Sequence, residues 1–119
     1  MEKGRIIEIE LDYDVPASTE WESDPGDSNI VDANGHIKKI EIHWPSGCKD
    51  LVGVQVGINR RQICPRNGEL AMGSQRAGYD FWEPVKQGQY IWAKVANRDA
   101  VNSHHITITV MIEEDINGN

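Results

Sequence analysis

Histidine is the residue type best suited to acid–base or metal chemistry, and the chain has four: His36, His43, His104 and His105. A metal site on a β-framework draws histidines and a carboxylate from neighbouring strands, usually through H-x-H, and a helical one uses HExxH; neither spacing occurs. His104 and His105 are adjacent at a strand start, so their side chains leave on opposite faces and one at most can join a site. The simpler reading is a strand-end histidine bonding a loop carbonyl. Ser46 lies in Pro-Ser-Gly-Cys rather than G-x-S-x-G, with no helix behind it to form a nucleophile elbow. Cys48 and Cys64 lack C-x-x-C spacing and are too few for a disulfide scaffold. Two small semi-buried thiols are the expectation, with a Cys48–Cys64 bridge open if their strands are neighbours.

Two ligand loops can be weighed in the same way. Between Pro16 and Gly35, Glu20, Glu22, Asp24, Asp27 and Asp32 with Asn29 and Asn34 offer oxygen ligands, but their spacing misses D-x-[DN]-x-[DN]-G, so calcium is not expected. Gly73 to Gly78 has the glycines of a phosphate cradle without the following helix or the Lys-Ser/Thr pair. No convergent acid, base or nucleophile emerges, and the sequence predicts a protein that is not an enzyme and uses no cofactor and no metal.

Aromatic side chains suit a different task, the stacking of sugar rings. Trp21, Trp44, Trp82, Trp92, Tyr79 and Tyr90 are the candidates. Alternation puts Trp44 on the face of Ile40 and Ile42, which makes it core. Parity alone does not place Trp82 and Trp92; sandwich core is the simpler reading and a glycan platform the alternative.

The elements that must position these groups are strands. His36 to Ile58 reads as two strands around Pro45-Ser46-Gly47, with Ile40, Ile42 and Trp44 on one face of the first and Val52, Val54, Val56 and Ile58 on one face of the second. Residues 4–15 alternate Ile7, Ile9, Leu11, Tyr13 and Val15 against Glu8, Glu10, Asp12 and Asp14. Four carboxylates on one strand face repel one another, so that face is solvated or meets a basic surface. Residues 16–35 form a long acidic loop in which Trp21 is out of character; it anchors the loop to its own domain or to a partner. Further strands are expected at Gln62–Pro65, Glu69–Met72, Tyr79–Val85, Gln89–Val95 and His104–Ile112, with a polar tail at 113–119. No 3.6-residue apolar period or internal repeat is found. About eight short strands in 119 residues predict one all-β domain, an antiparallel β-sandwich of jelly-roll type without substantial helix.

The formal net charge of −7 and pI near 5.0 speak against nucleic acid or anionic membrane as a partner. No apolar run reaches the length of a membrane span and the first residues lack the layout of a secretion signal, so an intracellular origin is expected. Within this acidic chain Arg60, Arg61, Arg66 and Arg76 cluster in sequence. Such segregation of signs predicts head-to-tail complementarity between copies, with Glu8, Glu10, Asp12, Asp14 and Trp21 on one side and the four arginines on the other.

The run I-x-I-x-W-P-S-G-C-x-x-L-V-G-V-x-V from Ile40, then Gln62-Ile-Cys-Pro-Arg-Asn-Gly, then Ala96-Asn97-x-Asp99 leading into His105-x-Thr107-x-Thr109, resembles small jelly-roll proteins of tailed-phage and prophage structural regions. The resemblance covers roughly residues 36–112. It implies a non-enzymatic virion part, a capsid decoration, cement or spike-type protein made in a host cytoplasm, that forms homo-oligomers and docks on a capsid or other virion protein. The alternatives are a carbohydrate-binding module using Trp82, Trp92 or Trp21 and, with less support, a cupin-like metal-binding protein around His43, His104 or His105.

Overall fold

The computed structural model describes residues 4–22, 30–45, 47–48, 50–71 and 75–115; of Tyr13, Trp21, Glu22 and Gln75 the backbone alone is described. Among the described residues there are nine strands and no helix: β1 (Ile6–Val15), β2 (Thr19–Glu22), β3 (Gly35–Trp44), β4 (Val52–Ile58), β5 (Arg61–Cys64), β6 (Leu70–Ala71), β7 (Gln75–Val85), β8 (Ile91–Asn97) and β9 (His104–Glu114). One sheet has the order β1-β9-β3-β7, the other β2-β8-β4-β5 with β6 also on β4, and every pairing is antiparallel. With the two-residue β6 set aside, this is the jelly-roll connectivity of an eight-stranded antiparallel sandwich.

The period-2 pattern drives the packing. Ile37, Ile40, Ile42 and Trp44 of β3, Val52, Val54, Val56 and Ile58 of β4, Ile91, Ala93 and Val95 of β8, and Ile106, Ile108, Val110 and Ile112 of β9 are all buried between the sheets. Trp44 is fully enclosed, and its indole N–H donates to the Val52 carbonyl at 3.0 Å, so its one polar atom is satisfied across the β3–β4 turn. Cys48 and Cys64 are both buried and both free thiols; the open alternative of a bridge is not realised.

Several expectations are corrected. The acidic segment 16–35 contains a strand: β2 pairs with β8 through Thr19↔Asn97 to Glu22↔Lys94, and Ile30 bridges Tyr90. Thr-Glu-Trp-Glu is too short and polar to announce a strand by itself; the edge of β8 supplies its hydrogen bonds. The calcium-loop candidates Asp24, Asp27 and Asn29 lie outside the described residues. β7 starts at Gln75, so Arg76, Ala77 and Gly78 are strand, not loop, recruited by His43↔Arg76 and Glu41↔Gly78 pairing. Trp82 is 60% exposed, and Trp92 is half-buried on an outer face, so neither is core.

Trp92 owes its position to a glycine. It stands opposite Gly57, where a Cβ would come within 2.1 Å of the indole, so only a residue without a side chain admits the ring over the strand. Trp82 keeps the outward parity of Asp80 and Pro84 on β7, and with Phe81 it lies opposite the single residue Lys38, between the paired Asp80 and Glu83.

Candidate functional site

The densest buried polar cluster lies at one end of the sandwich, where β8 leaves its sheet and returns as β9. Asn97, the last residue of β8, is buried, and its amide nitrogen lies 3.0–3.1 Å from the carbonyls of Val15, Pro16 and Asn102 while its side-chain oxygen accepts the Asp99 N–H. Asp99 accepts the N–H groups of Val101 and Asn102 and meets Nε2 of His104 at 2.9 Å. These bonds to the charged form, led by the Val101 N–H, hold the Asp99 carboxyl far below the usual carboxylate range. Its ionisation therefore favours the fold above the unfolded-state carboxylate pKa, and that contribution disappears as pH falls into the acid range.

A histidine oriented by a buried carboxylate supplies two members of a catalytic triad, which acts only with an activated nucleophile beside it. Cys48 neighbours this cluster electrostatically, but its thiol is fully enclosed and is pushed up by burial and by the Asp99 charge, the opposite of an activated nucleophile. Cys64 is likewise buried and pushed up to about 11 by desolvation. No hydrogen bond joins Ser103 to His104 among the described residues. What the cluster does is fix the 98–103 loop, which carries Val101 at 81% exposure beside the half-exposed Leu51.

The remaining histidines are dispersed. His43 lies on the outer face between Thr107 and Arg76, His36 stacks on Trp82 with ring centroids 4.3 Å apart, and His105 lies outside on β9. Among the described residues no group of three or more His, Cys, Asp or Glu could hold a metal.

The charged candidates are sorted by edge. Glu8, Glu10, Asp12 and Asp14 all face outward on β1, an edge of its sheet, and exposed Glu20 follows on β2, the adjoining edge of the second sheet. The arginines lie at the other side, where β7 and β5 are the edges. Arg61 and Arg66 reach Glu83 of β7 at 2.6 and 4.0 Å, Arg76 of β7 reaches Glu41 at 3.8 Å, and Arg60 is exposed. Three of the four arginines thus have intramolecular partners, yet their side chains remain more than half exposed. Glu83 receives two of them, so this edge keeps a positive excess. The side chain of Trp21 lies outside the described residues.

His105 moderates the acidic edge. Its Nδ1 lies 2.5 Å from Asp14, and its Nε2 contacts Asp12, which also accepts the Thr107 hydroxyl at 3.4 Å. The Asp14 hydrogen bond, followed by the charges of Asp12 and Asp14, raises the His105 pKa above its ordinary 6.5. The stabilisation is complete below the unfolded value and is lost as pH rises through the higher folded value. An NMR-monitored titration is expected to place the His105 midpoint above 6.5, and Asp14→Asn to bring it down; a wild-type midpoint at or below 6.5 would show that the clamp does not form.

Sequence reasoning includes Asn97 and Asp99 within the resemblance without giving them a role, and does not single out Glu83 or Gly57. Asn-x-Asp before a strand is recognisable Asx-turn chemistry. The partners of Glu83 and the ring over Gly57 come from other strands and leave no local trace.

No protein-family model matches the chain, and no curated protein does. Among solved structures, one described as "Crystal Structure of FLHE" is similar over 90% of this chain and 96% of that one, with 6% sequence identity and a TM-score of 0.48. Among the described residues there is no helix long and apolar enough to cross a membrane.

Proposed function

We propose that this chain is a non-enzymatic structural protein that works through protein–protein contacts, assembling with copies of itself and docking on a shell protein in the manner of tailed-phage decoration and accessory proteins. The observation that carries the reading is the opposition of an acidic edge, Glu8 to Asp14 on β1 with Glu20 on β2, to an arginine-bearing edge formed by β5 and β7. A molecule with complementary charge on opposite sides attracts its own kind head to tail. The buried Asn97–Asp99–His104 network supports the same reading, because it rigidifies a loop that presents an apolar residue and so lowers the ordering cost of docking.

Sedimentation velocity over a hundredfold range of protein concentration tests it. The sedimentation coefficient is expected to rise with concentration at low salt; a constant monomer value throughout would overturn self-assembly. The outward tryptophans favour one second reading, a glycan-binding module. Trp82 stacks one face on His36, and Trp92 lies over Gly57 with the Lys94 ammonium 5.6 Å from its ring centroid. Glycan binding lost on Trp82→Ala or Trp92→Ala would select that reading.

A further inference from the structure

We infer that copies of this chain join by strand addition, the β7 edge of one copy pairing antiparallel with the β1 edge of the next so that the β1-β9-β3-β7 sheet continues from copy to copy. This rests on the assembly reading above and specifies its contact.

Both strands are sheet edges, and both are long, 10 residues in β1 and 11 in β7. Unpaired edges of this length are templates for a further strand, and on β7 the stretch Gln75–Asp80, ahead of the Phe81–Trp82 irregularity and of Pro84, keeps a regular edge. Direction is compatible. β1 is antiparallel to β9, β9 to β3 and β3 to β7, so β1 and β7 run oppositely, and placing a second copy beside the first brings β7 against β1 in antiparallel order.

The cross-sheet register states what would meet. One row runs Asp12, Thr107, His43, Arg76, and another runs Glu8, Met111, Lys39, Asp80. All alternate residues of these rows face outward on the same side. If the rows continue into the neighbour, Arg76 stands opposite Asp12 of the neighbouring copy, with Glu10 and Asp14 of that copy on the diagonals. Counted along the same antiparallel ladder, in which each step up β7 is one step down β1, Trp82 stands opposite the neighbour's Ile6. Ile6 and Trp82 are two of the few large apolar side chains left exposed, at 47% and 60%. An ion pair at one end and an apolar contact at the other fix a single register. The intermediate row sets Asp80 opposite Glu8, an unfavourable pair that separates this contact from a tighter, obligate one. The same face pairs acid against acid if two β1 edges meet, so a symmetric β1–β1 contact is disfavoured.

A cysteine pair reads this contact directly. Within one chain residues 12 and 76 stand three strand spacings apart, on the order of 14 Å, beyond the roughly 7 Å that a disulfide tolerates. Mixing Asp12→Cys protein with Arg76→Cys protein under mild oxidation is therefore expected to give a disulfide-linked dimer of two different chains, while neither variant alone does so; the native Cys48 and Cys64 are buried. Because each substitution also removes a charge of the contact, a charge exchange provides the second measurement. Asp12→Arg and Arg76→Asp singly are each expected to weaken association at least tenfold, and the two together in one chain to recover most of it. Wild-type protein that associates, with no 12–76 cross-link and no recovery by charge exchange, would overturn the strand-addition contact and leave assembly through another surface. Wild-type protein that stays monomeric would overturn the assembly reading itself.

Discussion

Trp44→Ala is expected to destabilise the fold by about 3–5 kcal/mol, the usual cost of emptying a large aromatic site in a core that collapses only in part. Trp44 is fully buried at the end of β3. Removing it also leaves the Val52 carbonyl without the indole donor that reaches it at 3.0 Å. Single domains of this size are stable by about 5–15 kcal/mol, so this one substitution brings the protein near its unfolding limit at 37 °C. Trp82→Ala provides the contrast, because that side chain is 60% exposed and its loss opens no cavity. Urea denaturation of the two variants checks both; a Trp44→Ala midpoint close to that of Trp82→Ala would contradict the core assignment.

Asn97→Ala is the second large effect, at about 2–4 kcal/mol, because buried carbonyls deprived of a donor lose their hydration without replacement. One amide group serves Val15 and Pro16, where β1 turns toward β2, and Asn102 in the β8–β9 loop, while its oxygen holds the Asp99 N–H. Asn97 therefore ties both sheets and the loop at one corner. Asn97→Asp keeps the acceptor but directs a second oxygen at three carbonyls and adds charge beside Asp99, so it is expected to cost at least as much. Thermal melts of the two variants check this; an Asn97→Ala melting temperature equal to that of the wild type would show that the corner holds without it.

Strands with one buried face were legible because alternation is a local property. Ile40, Ile42 and Trp44 pointed to the core from their spacing alone, as did Ile106, Ile108, Val110 and Ile112. Trp92 is unplaced by the sequence reading, with core as the simpler assignment, although exposed Lys94, two residues on, shares its outward face. Parity was obscured for Trp82 because the inward neighbour Glu83 is an acid, and an acid on the core side is explained only by Arg61 and Arg66, distant in sequence from it. β2 was missed for the same kind of reason: four residues gain strand geometry from the β8 edge rather than from their own propensity.

The candidate site was legible in composition and not in arrangement. Sequence showed that acids and arginines are segregated, but the jelly-roll path is what sends β1 to one edge and β5 with β7 to the other. The intramolecular use of Arg61, Arg66 and Arg76 could not be read from the chain, since each ion pair spans strands brought together by the fold. Partial pairing changes the expected strength of assembly. Arginines already near a carboxylate gain less from a second one, so the contact is expected to be salt-sensitive and reversible.

Absolute mass by light scattering, at low and at moderate salt, tests the central claim most directly. Assembly through opposed charged edges predicts a mass that is a multiple of 13.4 kDa at low salt and that falls toward 13.4 kDa as salt screens the edges. A mass of 13.4 kDa at every salt concentration would contradict it.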